Sequence, residues 1–340
     1  MSATIYDIAN KAGVSIATVS RVFSENANVS KKNRDKVVKI AEELGYHPQG
    51  YASGLAGKKN NVITAIVPIL SNYFFMEVLA GIQDKIIEHN FDLNIYNVTS
   101  MGGNIVQQVE HVLKKRMSDG YLLISIHMKD KDWAKLNKYK TPITLIDEYY
   151  AEFDSVSVDS VDGAYKATSK LIEDGHEKIA FISALKDSKP IRQRTDGYIK
   201  ALEKHDIPVD ENLMVRSDLD NRDGFTEKGG YLSMQKLLEM DKKPDACLCA
   251  SDIQALGALK ALSDTDEWMP MISFDDIEIS EYLGLSTMRQ PMYDMGYMAT
   301  QKVLNRIKNK NHTVSHTVFS QELILRSTTD TKKNHKQVLT

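Results

Sequence analysis

Residues 4–49 read TIYDIANKAGVSIATVSRVFSENANVSKKNRDKVVKIAEELGYHPQ, and the spacing of their apolar positions decides how the chain begins. Three short helices are expected over residues 4–46. Ser2 or Thr4 can cap the first, whose stripe is Ile5, Ile8, Ala9 and Ala12, and Gly13, tolerant of positive φ, ends it. Ser15 caps the second, where Ala17 and Thr18 alternate faces with Val19, Val22 and Phe23. Ser30 caps the third, with Val37, Val38, Ile40, Ala41 and Leu44 as its stripe and Gly45 closing it. Two helices about a Gly-centred turn make a helix-turn-helix.

Residues 48–60 follow as a linker, too rich in glycine to form a stable helix alone, yet carrying the apolar Tyr51, Ala52 and Leu55. From residue 61 apolar strands alternate with amphipathic helices. Strands are expected at 62–68, 93–97, 121–125, 143–147, 178–183, 246–251 and 271–275. Helices are expected at 75–89, 105–117, 163–174, 195–205, 228–240 and 253–262. Strands apolar on both faces with helices between them argue for parallel βαβ units. Over residues 61–330 they make two doubly wound lobes, each offering one wall of a cleft beyond its strand ends. No internal repeat is evident. The tail, 331–340, is polar and basic without apolar heptads, which predicts disorder and favours a dimer over a tetramer.

With 340 residues the chain is long enough for two or three compact units. Its net charge of −3 hides an asymmetry, because residues 1–60 hold nine Lys/Arg against five acids. A basic head on an acidic body fits a nucleic-acid-binding module joined to something that should not bind nucleic acid. The cysteines, Cys247 and Cys249, stand two apart in an apolar run. Strand alternation is taken to place them poorly for bonding each other, and they read as buried, reduced thiols. There is no signal-peptide pattern and no apolar run long enough to span a membrane, which predicts a cytoplasmic protein.

Enzyme signatures are absent. No G-x-G-x-x-G follows a strand, and GLAGK at 54–58 falls short of a P-loop in glycine spacing and in having Lys59 where Ser or Thr is required. No Cys/His cluster has zinc spacing. Asp218, Asp220 and Asp223 suggest a calcium loop, but its twelfth position is Gly229 rather than a bidentate Glu. No cofactor or metal is expected.

The run from Thr4 through LAGK (55–58) resembles the DNA-binding head of the LacI/GalR family of transcription regulators. The resemblance continues through ILSNYFF (69–75), DGHEKIAFIS (174–183), RTDGY (194–198), ASDIQALGALKAL (250–262), SFDD (273–276) and LSTMRQPMYDMG (285–296). It implies an N-terminal helix-turn-helix headpiece plus a two-lobed, doubly wound α/β domain like the periplasmic sugar-binding proteins. It implies a regulator, a repressor by default, of carbohydrate-metabolism genes. A homodimer would read a pseudo-palindromic operator while a sugar or sugar phosphate binds between the lobes. A stand-alone solute-binding protein is the alternative, but it would have no use for residues 1–60.

By the resemblance, Ile16 and Ala17 discriminate operators, through apolar contact since neither can form a bidentate hydrogen bond. Arg21, one turn on, suits a bidentate guanine contact. Thr4, Tyr6, Ser15, Thr18, Ser20, Asn28, Ser30 and Asn33 would position the head on phosphates or base edges, with plain capping the other role for Ser15 and Ser30. The family's linker folds on operator DNA and wedges a leucine into the minor groove; here that is Leu55, with Gln49 and Ala52 beside it. Gln49 and Ser53 depart from the family's Asn and Arg, and Gly50 and Gly54 disfavour a helix. In the cleft, Asp147, Arg194, Asp252 and Asp275 would meet sugar hydroxyls. Asn72, Tyr73, Phe74 and Phe225 would supply the wall and further polar contact. Asp252 can alternatively cap the helix starting at Ile253 and Asp275 a turn, Arg194 can serve as an interlobe ion-pair partner, and Tyr73 and Phe74 can be core. Three of the polar four stand at expected strand ends; Arg194 is expected in the loop after the strand at 178–183. Ser273 replaces the family's glycine before FDD.

Overall fold

The computed structural model describes residues 3–23, 29–46, 60–70, 72–99, 104–184, 188–217, 224–309 and 311–330. The chain divides into two units, Met1–Val62 with Lys115–Asp119, and Ile63–Lys114 with Gly120–Thr340.

The first unit holds α1 (Ile5–Ala12), α2 (Ile16–Phe23) and α3 (Lys31–Glu43). Thr4 caps α1 in a reciprocal box with Asp7, and Gly13 ends it at φ 63°. Ser15 Oγ accepts from the Thr18 amide at 3.1 Å, and Ser30 Oγ from the Asn33 amide at 3.4 Å. Ile8, Val19, Val22, Val37 and Ile40 close a small core. Val38, expected in the stripe of α3, is instead exposed, because it is turned about 100° from its neighbour Val37.

The second unit contains two lobes of one design. Lobe 1 runs β1 (Val62–Val67), α4 (Tyr73–Ile87), β2 (Asp92–Asn97), α5 (Ile105–Lys115), β3 (Gly120–Ile124), α6 (Asp130–Asn137), β4 (Ile143–Ile146) and β5 (Asp154–Val158). Lobe 2 runs α7 (Ser160–Glu173), β6 (Ile179–Ser183), α8 (Lys189–Lys204), β7 (Met214–Arg216), α9 (Glu227–Leu238), β8 (Ala246–Cys249), α10 (Asp252–Thr265), β9 (Met271–Asp275), α11 (Glu278–Tyr282) and β10 (Ser286–Arg289). The chain then returns through α12 (Met292–Lys308) and β11 (His316–Phe319) to lobe 1, and ends on β12 (Glu322–Ile324) in lobe 2.

The sheet orders, β11-β5-β4-β3-β1-β2 and β12-β10-β9-β8-β6-β7, correspond strand for strand. The repeat absent from the sequence is therefore present in the topology. Central pairings are parallel, with Leu122 opposite Ala65 and Thr144, and Leu248 opposite Phe181 and Ile272; β12 runs antiparallel to β10. In each sheet the order reverses beside the first strand, so both switch points open beyond carboxyl strand ends.

Three further expectations about the second unit need correction. Arg194 lies inside α8 rather than in a loop, because Pro190 in the first turn starts that helix well before Thr195. The strands β5, β7, β10, β11 and β12 were not expected. Asp154 and Ser155 break the apolar pattern by which strands were sought, yet they are buried and bonded to Arg306 and His316. Cys247 and Cys249 share a strand face, since a period of two returns the side chain to the same side, and their Sγ atoms lie 3.8 Å apart. Both are fully buried free thiols. Among the described residues no helix is long and apolar enough to cross a membrane.

Candidate functional site

On the first unit, Ile16, Ala17, Ser20 and Arg21 are all exposed on α2 while Val19 and Val22 behind them are buried. The spacing i, i+1, i+4, i+5 makes one face, held from behind by α1 and α3. Tyr6 and Thr4 are exposed on the neighbouring helix start, and Asn33 is half-buried. Thr4, Ser15 and Ser30 spend side-chain oxygens on caps, and Thr18 Oγ1 lies 2.9 Å from Ser15 Oγ. Asn28, Gln49, Ala52 and Leu55 lie outside the described residues, as do residues 48–59 of the linker and the tail.

On the second unit, strand ends from both lobes enclose a cavity with an empty volume of about 620 Å³, counting the solvent at its mouth. Asn72, Phe74, Asp147, Arg194, Phe225 and Asp275 line it. Tyr73 and Asp252 do not line it. Tyr73 is substantially exposed on α4, while Asn72 caps that helix by accepting the Phe74 amide at 3.0 Å. Asp252 is fully buried, and Ser251, not Asp252, caps α10. Its carboxylate accepts from Ser273 Oγ, from Thr287 Oγ1 at 2.7 Å, from Ser280 Oγ at 2.7 Å and from the Ile277 amide at 3.0 Å. Asp252 thus ties the loop after β9 to β10, and Ser273, in place of the family's glycine, supplies one of those donors.

The lining includes residues that sequence reasoning missed, among them Ser125, His127, Ser188 and Gln290. Ser125, His127 and Gln290 stand within three residues of a strand's carboxyl end, a position that would have flagged them once the strands were placed. Ser125 donates to Asp147 Oδ2 at 2.9 Å, and Gln290 Nε2 donates to Asp275 Oδ1. Arg194 donates from Nη1 to the Ala250 carbonyl, and its guanidinium carbon lies 4.4 Å from the Phe274 ring centre. The backbone is strained around this rim, with Ser125, Asp147, Asp275 and Asp276 all at positive φ.

Burial pushes the Asp275 carboxyl up to about 8; Asp252 and Asp147 work with burial, while Arg194 and the Gln290 hydrogen bond oppose it. Burial likewise raises Asp147, against His127, Ser125 and Arg194. For Glu148, burial disfavours the charge, but the His127 contact at 2.8 Å, the Tyr149 amide and Lys189 outweigh it and hold the carboxyl below its ordinary value. Lys189 opens α8 in lobe 2 and lies 3.7 Å from Glu148 of lobe 1, so this pair bridges the lobes at the rim. Among the described residues no cluster suits a metal ion.

Residues 4–49 match the profile of bacterial regulatory proteins of the lacI family, and residues 168–329 match that of a periplasmic binding protein-like domain. The chain is 33% identical to catabolite control protein A of Priestia megaterium, over 91% of this chain and 94% of that protein. It is 32% identical to the ribose operon repressor of Haemophilus influenzae, over 95% and 98%. Among solved structures it resembles the transcriptional regulator CelR in complex with cellobiose at 25% identity and a TM-score of 0.71, covering 96% of this chain and 99% of that one. It shares the fold of the Lac repressor dimer bound to operator and an anti-inducer, with 24% identity, a TM-score of 0.79, and coverage of 97% and 99%.

Proposed function

Because the chain belongs to the LacI family of bacterial regulatory proteins, we propose that it is a sequence-specific transcription regulator of carbohydrate-metabolism genes, acting as a homodimer on a pseudo-palindromic operator. The observation that carries this reading is the exposed face of α2, where Ile16, Ala17, Ser20 and Arg21 stand out from a buried three-helix core. Ile16 and Ala17 offer apolar contact to base edges, and Arg21 offers the bidentate fork. The cavity between the lobes takes a sugar or sugar phosphate. Its binding changes the angle between the lobes, and with it the spacing of the two linkers across the dimer. The relatives named as a ribose operon repressor and as a cellobiose complex support an effector of this kind.

Fluorescence anisotropy of the purified protein on a labelled palindrome with a central CG step, at two salt concentrations, tests the reading. Selective binding over a scrambled duplex is expected, with Arg21→Ala losing about 1–3 kcal/mol of that selectivity. Equal affinity for the palindrome, the gene's own upstream region and the scrambled duplex would contradict it.

A further inference from the structure

Lobe 1 has a second cavity, at the amino ends of its strands. Its empty volume is about 750 Å³, counting the solvent at its mouth. It lies where α6 ends at Asn137, β4 begins at Ile143, β5 begins after Phe153, and α12 nears its close at Arg306. The effector cavity is reached at the other end of β4, at Asp147, four residues or about 13 Å further along the strand. No residue lines both cavities.

Four side chains that can donate hydrogen bonds meet on this lining: Asn137, Lys140, Thr141 and Arg306. Arg306 is anchored from behind, since its Nε donates to Asp154 Oδ2 at 2.6 Å. Its Nη2 is buried and has no acceptor among the described residues. Nor do the side chains of Asn137, Lys140 and Thr141 have a hydrogen-bond partner among them. Asp154 does not use up the local positive charge. Its carboxylate also accepts from the Ser315 amide at 2.8 Å, and Lys302 stands close enough to feel both Asp154 and Arg306. On and just behind the lining, the cations Lys140, Lys302 and Arg306 thus stand against two acids, Asp154 and Glu152, and Glu152 is exposed to water. The buried Pro142, Ile143 and Phe153 give the cavity an apolar side. Unpaired donors beside an excess of positive charge suit a group that only accepts and is itself negative.

From this lining we infer that lobe 1 holds a second ligand site, which takes the phosphate or carboxylate group of a small metabolite whose carbon part packs on Ile143 and Phe153. Arg306 and Lys140 hold the oxyanion, and Asn137 and Thr141 add neutral hydrogen bonds. The site does not depend on what the cavity between the lobes takes.

Calorimetry on the full chain, with inorganic phosphate and with succinate at constant ionic strength, tests it. At least one is expected to bind with a Kd of about 10 mM or tighter, and the tighter of the two identifies the group as phosphate or carboxylate. Lys140→Ala is expected to weaken that binding about 10-fold or more, through loss of one charge-assisted hydrogen bond. Arg306→Lys keeps a cation against Asp154 while removing the unpaired guanidinium nitrogens, and it weakens binding likewise; melting temperatures near wild type show that both variants are folded. No binding of either anion up to about 50 mM overturns the inference. Binding that both variants retain at wild-type strength also overturns it, since the anion then sits elsewhere, for instance on the basic head.

Discussion

Asp275 is the residue on which the cleft's chemistry turns. Its carboxyl is buried beside Asp147 and Asp252, with Arg194 and Gln290 as its partial relief, and stands near 8 rather than near the usual carboxylate value. An acid whose folded value lies above its unfolded value binds more protons when folded over the window between them. Stability therefore falls as pH rises from about 4 to about 8, by at most about 1.4 kcal/mol per pH unit from this one group. Thermal unfolding of the ligand-free protein is expected to show wild type losing stability relative to Asp275→Asn between pH 6 and pH 8. Parallel pH profiles for the two proteins would show that the aspartate is ionised throughout. Asp252 plays a different part: four donors fix its carboxylate, so it holds the loop that follows Asp275 without lining the cavity.

Helices in both lobes approach one another through glycine. A Cβ on Gly81 of α4 would sit 2.0 Å from the Tyr293 carbonyl oxygen of α12, and one on Gly296 would sit 2.0 Å from that of Val78. In lobe 2, Gly230 of α9 and Gly257 of α10 make the equivalent close contact, at 1.9 Å from the Gln254 carbonyl oxygen and 1.8 Å from that of Glu227. Backbone cannot yield as a side chain can, so Gly81→Ala is expected to lower stability by about 1–3 kcal/mol or more, read as a drop in the urea midpoint. An unchanged midpoint would mean the helices slide apart freely. The caps and turns of the head were legible because Thr4, Gly13, Ser15, Ser30 and Gly45 act within a few residues of themselves. The main strands were legible from apolar runs such as Val62–Val67, whereas β5 and β10 were not, because their Ser, Thr and Asp side chains are satisfied by partners remote in sequence. Arg194 and Asp275 could be named from their motifs, and Asp147 from its place at an expected strand end. Ser188 could not, Gln290 needed the unexpected strand β10 before it, and the consumption of Asp252 follows from how the loop after β9 folds back on it.

At the scale of the whole molecule, the second unit has the parts that a two-state sensor needs. Its lobes share one topology, three chain crossings join them, and Glu148 and Lys189 bridge them at the rim of the cavity. The central claim is that occupancy of this cavity and occupancy of the operator by the head are coupled in one equilibrium. Reciprocity makes that claim measurable, because an effector that changes operator affinity by some factor must have its own affinity changed by the same factor when operator is bound. The direct test measures both arms on the full-length protein: operator affinity with and without saturating effector, and effector affinity with and without saturating operator. Two equal ratios of about 5 to 150, corresponding to about 1–3 kcal/mol, are the predicted result. An effector that saturates the cavity and leaves operator affinity unchanged would contradict it.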